Sequence, residues 1–135
     1  MTEKNAIFDM EIAGNTLVLI PRSNLSELQF VHFDQAADRV FRELDACAAR
    51  NVILDLEHTD YYGSTAIGFF VKLWKRVRCA DGNMVLCHVS ENEQEILRVT
   101  RLDLLWRVYA NREAALANIE GRDDTDQGDA SAPVS

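Results

Sequence analysis

The sequence predicts an α/β fold: a four- to five-stranded, mostly parallel (mixed) sheet with an N-terminal hairpin and about four helices. Three observations predict it. Short apolar runs alternate with segments of helical periodicity, the pattern of βαβ units laid onto a parallel sheet. The central runs, Leu17-Val18-Leu19-Ile20, Val52-Ile53-Leu54-Asp55-Leu56 and Met84 to Val89, are nearly continuous in apolar residues. A half-exposed strand would alternate, so these are expected to be covered on both faces. The hairpin is read from Gly14-Asn15, a turn signal that joins a short strand, Ile7 to Ile12, to the run at Leu17.

The other elements follow in order. Pro21 to Ser26 breaks the pattern as a loop. From Phe30 a period of 3.6 takes over, with Phe33, Ala36, Ala37, Val40, Phe41, Leu44 and Ala48 on one stripe. After the strand at Val52 a second helix opens near Ser64. Its apolar face is Ile67, Phe70, Val71, Trp74 and Val77, with Lys72, Lys75 and Arg76 outside. Right-handed crossover packs this helix back onto the sheet. Asp81-Gly82-Asn83 ends it, and Met84 starts the third apolar strand. Ser90 and Glu93 have capping-box spacing, predicting a helix from Glu91 towards Arg101. Leu104 to Tyr109 is expected as an edge strand, and Asn111 as the cap of a last helix through Ile119. Residues 1–119 therefore form one domain. Residues 120–135 carry Gly, Asp, Ser and Pro with almost no large apolar side chain, and are expected to be a disordered acidic tail.

At 135 residues the chain has length for one core. Its 14 basic and 22 acidic residues leave a net charge of −8. Glu120, Asp123, Asp124, Asp126 and Asp129 against Arg122 place half of that excess in the tail. An acidic body without a basic stripe argues against nucleic acid or an anionic membrane as partner. No apolar window is long enough for membrane insertion, and the polar start at Met1 is unlike a signal peptide, so a cytoplasmic location is expected. Cys47, Cys79 and Cys87 form no C-x-x-C and read as reduced, buried thiols. His32, His58 and His88 are scattered, with His58-Thr59-Asp60 the local His/acid pair, so neither metal nor cofactor is expected.

The stretch DYYGSTAIGFF, Asp60 to Phe70, sets two hydroxyls between strand and helix. Gly63 and Gly68 have phosphate-loop spacing, but Phe69-Phe70 stand where Lys and Ser/Thr are required, which excludes such a loop. The hydrolase elbow G-x-S-x-G is absent, leaving a small enzyme using Ser64 or His58 as a minor reading. Helix capping explains Gly63 as N-cap, with Tyr62 stapled to Ile67. A further reading adds to capping. A hydroxyl in the first turn, Ser64 or Thr65, is where a phosphate is well tolerated, because the helix dipole and free N–H groups favour negative charge.

Strand, short loop, hydroxyl pair, helix and strand in this order resemble the STAS domain of bacterial anti-sigma factor antagonists. The family motif D-S-[ST]-G-[LI]-G falls on Gly63-Ser64-Thr65-Ala66-Ile67-Gly68, after the strand at Val52 to Leu56. The resemblance covers about Asn5 to Ile119. It implies a non-enzymatic regulator of transcription that works by protein–protein contact, with an anti-sigma factor or a serine/threonine kinase-like protein as partner, and a homo-oligomer as a further option. It implies Thr65 as phosphoacceptor, with Ser64 as the alternative. The expected contact surface is Ser26 in the Ser23–Leu28 loop, Tyr61, Tyr62, Ser64 and Thr65, with Lys72, Lys75 and Arg76 on the helix that follows. The family also includes unphosphorylated scaffold subunits of sensory and transport complexes. The motif is departed from at Gly63, which replaces the aspartate, and at Ala66, which replaces the glycine; Ser26 also stands at an acidic position, and the two missing carboxylates favour that second role.

Overall fold

The computed structural model describes residues 8–22, 30–47, 49–60 and 63–119, with residues 30–33 and Ser64 described by their backbone alone. Gly14, at φ 62°, turns β1 (Phe8–Ala13) into β2 (Thr16–Pro21), and the two pair antiparallel from Ala13↔Thr16 to Phe8↔Pro21. Then come α1 (Phe30–Cys47), β3 (Asn51–Asp55), α2 (Ser64–Cys79), β4 (Met84–Cys87), α3 (Glu91–Val99), a 3-10 turn at Leu102–Leu104, β5 (Arg107–Tyr109) and α4 (Arg112–Ile119). The sheet order is β1-β2-β3-β4-β5, with every pair after the first parallel.

The strand pleat explains the continuous apolar runs. Leu17, Leu19, Val52, Leu54, Leu56, Met84 and Leu86 join α1, α2 and α3 in one core, while Val18, Ile20, Ile53, Val85 and Cys87 pack against Ala115 and Ile119 of α4. Neighbouring residues thus find a core on each face. Burying each such Leu, Ile or Val stabilises the fold by roughly 1.5–3 kcal/mol. α2 is held from several sides, because the ring of Phe69 lies 5.5 Å from Phe8, 5.7 Å from Phe41 and 5.8 Å from Phe70, centroid to centroid.

Several expectations are corrected. The deepest face of α2 is Ala66, Phe69, Phe70, Leu73 and Val77, with Ile67, Val71 and Trp74 half-buried at its flanks. A helix beneath a twisted sheet buries a stripe wider than five positions. β4 ends at Cys87, two residues early, because His88 adopts φ 56° and leaves the extended conformation. β5 has only three residues; Leu104, in the 3-10 turn, is 74% exposed, and Trp106, 3% exposed, is the anchor. Cys87 is buried, but Cys47 is partly exposed and Cys79 is on the surface, where α2 ends. Ile7, Ala48, the Ser23–Leu28 loop with Ser26, Tyr61, Tyr62 and the tail at 120–135 lie outside the described residues.

Candidate functional site

The chain leaves β3 at Asp55 and enters α2 at Ser64, and the connection begins with a clamp. Leu56 is fully buried and its N–H donates to Cys87 O at 3.0 Å. The Thr59 hydroxyl donates to Glu93 Oε2 at 2.6 Å, and the N–H of Thr59 to Leu56 O at 3.1 Å. Glu93 in turn completes the capping box of α3. Its Oε1 accepts from Ser90 N at 3.0 Å, and its N–H donates to Ser90 Oγ at 3.1 Å. Ser90 Oγ also donates to Asp60 O at 3.3 Å. The capping box was legible in the sequence; that its carboxylate also grips the loop before α2 was not.

Glu93 is fully buried. Burial pushes its carboxyl above the ordinary value of 4.5, and the hydrogen bonds from Thr59 and Ser90 pull it partly back. Above that ordinary value, the folded chain keeps a proton that the unfolded chain has lost. This group's contribution to stability is therefore full at acid pH and falls as pH rises through its raised folded value. Glu93→Gln is never charged, and its amide can still accept from Ser90 and donate to Thr59. The stability of the parent minus that of Glu93→Gln, from urea midpoints, should decline as pH rises from 4.5. Parallel curves would show that Glu93 is not carrying this burial cost.

Gly63 caps α2 in an extended conformation, φ −94°, and its carbonyl accepts from Ile67 N at 3.1 Å. The first turn of α2 contains no acidic side chain. Ser64 and Thr65 are its first two residues, so both stand where N–H groups and the dipole favour an anion. Thr65 is half-buried. Seven residues along a helix is close to two turns, so Thr65 and the exposed Lys72 share a stripe, with exposed Gly68 between them and exposed Lys75 one turn on. Arg76 does not belong to that stripe. It is half-buried and pairs with Asp45 of α1. Ser26, Tyr61 and Tyr62 are outside the described residues, so the structure joins Ser64 and Thr65 to Lys72 and Lys75 alone among the expected contacts.

A second polar group lies at the other face of the sheet. Asp55, fully buried at the end of β3, uses both carboxylate oxygens. Oδ1 accepts from Glu57 N at 3.1 Å and lies 2.8 Å from His88 Nδ1. Oδ2 accepts from Arg112 Nε at 3.2 Å, and Arg112 Nη1 reaches Glu11 Oε1 at 2.7 Å. Partial burial works against the charge on Arg112, but the hydrogen bonds and charges of Asp55 and Glu11 outweigh it and hold the guanidinium firmly protonated. Sequence reasoning missed this network because His88 and Arg112 stand 33 and 57 positions from Asp55. One signal was available: an acid inside an apolar strand must be given partners. Burial first, and then the Asp55 carboxylate, push the Cys87 thiol up to about 12, so it is no nucleophile near neutral pH. His58 is exposed on the loop.

Comparison with known proteins agrees with this architecture. The family model of the STAS domain matches residues 8–115. A Thermotoga neapolitana protein that bears the name of an anti-sigma factor antagonist, the TM1081 homolog, is 24% identical over 116 residues, which cover 86% of this chain and all of that protein. The anti-sigma factor antagonist SpoIIAA in its unphosphorylated form superposes with a TM-score of 0.72 at 16% identity, covering 87% of this chain and 99% of that one. The Bacillus cell fate determinant SpoIIAA in the phosphorylated form gives 0.64 at 16% identity, over 82% and 96%.

Proposed function

Because the chain belongs to the STAS domain family, we propose that it is a non-enzymatic regulatory module of the anti-sigma factor antagonist type, switched by phosphate on Thr65. One observation carries the reading: Thr65 stands in the first turn of a long, well-anchored helix that has no carboxylate there, at the end of a loop clamped to α3. A phosphate at that position adds about −1.5 to −2 charges where the helix terminus tolerates them, so the fold should survive the modification. A partner seated on the same turn would have to desolvate that charge. The names of the relatives support an anti-sigma factor as partner, and the two forms of SpoIIAA support a phosphate switch; to these we add a serine/threonine kinase-like protein as the modifying enzyme and the cytoplasm as the place where both are met. Lys72 and Lys75, on the stripe below Thr65, supply positive charge for an acidic partner surface.

A second reading is favoured by Gly63. Without the aspartate of the motif, kinase recognition loses a charged contact, whereas capping loses only a few tenths of a kcal/mol. The module would then be a scaffold subunit that is never phosphorylated. Peptide mapping and intact-mass measurement of the protein taken from its own host, at rest and under stress, separate the two. Phosphate on Thr65, absent from Thr65→Ala, is the expected result. Phosphate on Ser64 moves the switch by one residue. An unmodified loop under every condition assigns the scaffold role.

A further inference from the structure

We propose that Asp55, Cys87 and His88 form a binding site for a divalent transition-metal ion of the zinc type. One ligand atom from each, a carboxylate oxygen of Asp55, Sγ of Cys87 and a ring nitrogen of His88, lies within 4.8 Å of the others. Two features of the fold create this convergence. In the β3–β4 ladder Asp55 is the register partner of Cys87, so both side chains point to the same face of the sheet. His88 would point to the opposite face if β4 continued. Instead it adopts φ 56°, a conformation sparsely populated by non-glycine residues, and its Nδ1 comes to 2.8 Å from Asp55 Oδ1. Backbone departures of this kind cluster at functional sites.

The chemistry of the set suits zinc. One thiolate, one imidazole nitrogen and one carboxylate oxygen form a borderline-soft N/O/S triad, and three protein ligands leave a fourth tetrahedral position open to water. His88 is one-third exposed, at 33%, so the open position has a route to solvent, while Asp55 and Cys87 have none of their own. Arg112 holds Oδ2 of Asp55 and is itself paired with Glu11, which orients the carboxylate, while Oδ1 accepts from Glu57 N with one lone pair and faces His88 Nδ1 with the other. On binding, the Cys87 sulfur gives its proton to solvent and bonds to the ion. The proton held between His88 Nδ1 and Asp55 Oδ1 passes through solvent to Nε2, after which Nδ1 and Oδ1 each donate a lone pair, and the two negative charges of thiolate and carboxylate match the ion's two positive ones. The ion would join the ends of β3 and β4 beneath the loop that leads to α2.

The test uses the full chain carrying Cys47→Ser and Cys79→Ser, which leaves Cys87 as the remaining one of three cysteines. Zinc and cobalt(II) are the probes. The expected results are one equivalent of zinc retained through desalting and a thiolate-to-cobalt charge-transfer band. Cys87→Ala should abolish the band, and His88→Asn, which tolerates the left-handed backbone, should weaken zinc by more than about tenfold. A parent chain with neither retained zinc nor the band overturns the proposal, whatever the variants do. Equal zinc in the parent and in Cys87→Ala overturns it too, and leaves the cluster as a hydrogen-bonded His–Asp–Arg group.

Discussion

Gly82→Ala is expected to cost at least about 3 kcal/mol, the upper end of over-packing penalties, and to lower the melting temperature by on the order of 10 °C. The reason is a close approach of two backbones. A Cβ at Gly82 would lie 1.7 Å from Arg50 O and 2.6 Å from Arg50 C, with Val77 Cγ1 at 3.1 Å. Neither backbone can easily retreat. The Gly82 N–H donates to Val77 O at 2.9 Å, and Arg50 N donates to Asn15 O at 2.9 Å while its guanidinium holds Asp81 O at 3.0 Å. This contact joins the end of α2 to the start of β3 and to the hairpin turn. Gly68→Ala is the control, because nothing lies within 4 Å of a Cβ there. At that exposed helical position alanine should stabilise by about 0.5–1 kcal/mol. Denaturant titration of both variants checks the pair, and similar values for the two would contradict the packing account.

Arg112→Ala is expected to cost about 3 kcal/mol, because it leaves the fully buried Asp55 carboxylate without its cation. The estimate sits at the low end of the range for broken buried pairs, since Arg112 itself is 29% exposed and water can partly replace it. His88 and the Glu57 N–H remain to hold Oδ1, so the fold should survive the change. Asp55→Asn made on top of Arg112→Ala should recover part of the loss, giving a coupling energy of at least about 1 kcal/mol. Both are measured by urea unfolding with a chelator present, so that metal binding does not enter. Additive losses would mean that the two side chains do not act as a pair. The stake is mechanical, because this pair ties α4 and the end of β3 together directly below the loop carrying the candidate switch.

What could be read from the sequence was whatever rests on local periodicity and spacing. Leu17–Ile20 and the run from Met84 to Val89 announced strands covered on both faces, the second ending early at Cys87, and Ser90 with Glu93 announced a cap that the structure shows with both its hydrogen bonds. Asn111 likewise caps α4, accepting from Ala114 N at 2.8 Å. The order of helices and strands around Gly63–Gly68 was enough to suggest the family. What could not be read depends on contacts between distant positions. Arg76 looked like one more outward cation until α1 brought Asp45 against it. Glu93 looked like a cap and is also the anchor of Thr59. Asp55 looked like a strand residue, and only the pairing of β3 with β4 and the turn at His88 reveal its neighbours. The stretch expected as a strand from Leu104 shows the opposite failure: its apolar run suggested length, but Trp106 alone goes inside.

The proposed switch makes partner binding depend on charge in the first turn of α2. The most direct test is a calorimetric titration of the partner retained by the unmodified protein against three forms: unmodified, Thr65→Ala, and phosphorylated at Thr65. Thr65→Ala is expected to bind within about twofold of the unmodified chain, and the phosphorylated chain at least tenfold more weakly, a loss of about 1.4 kcal/mol or more. Equal affinity for the unmodified and phosphorylated forms would contradict it.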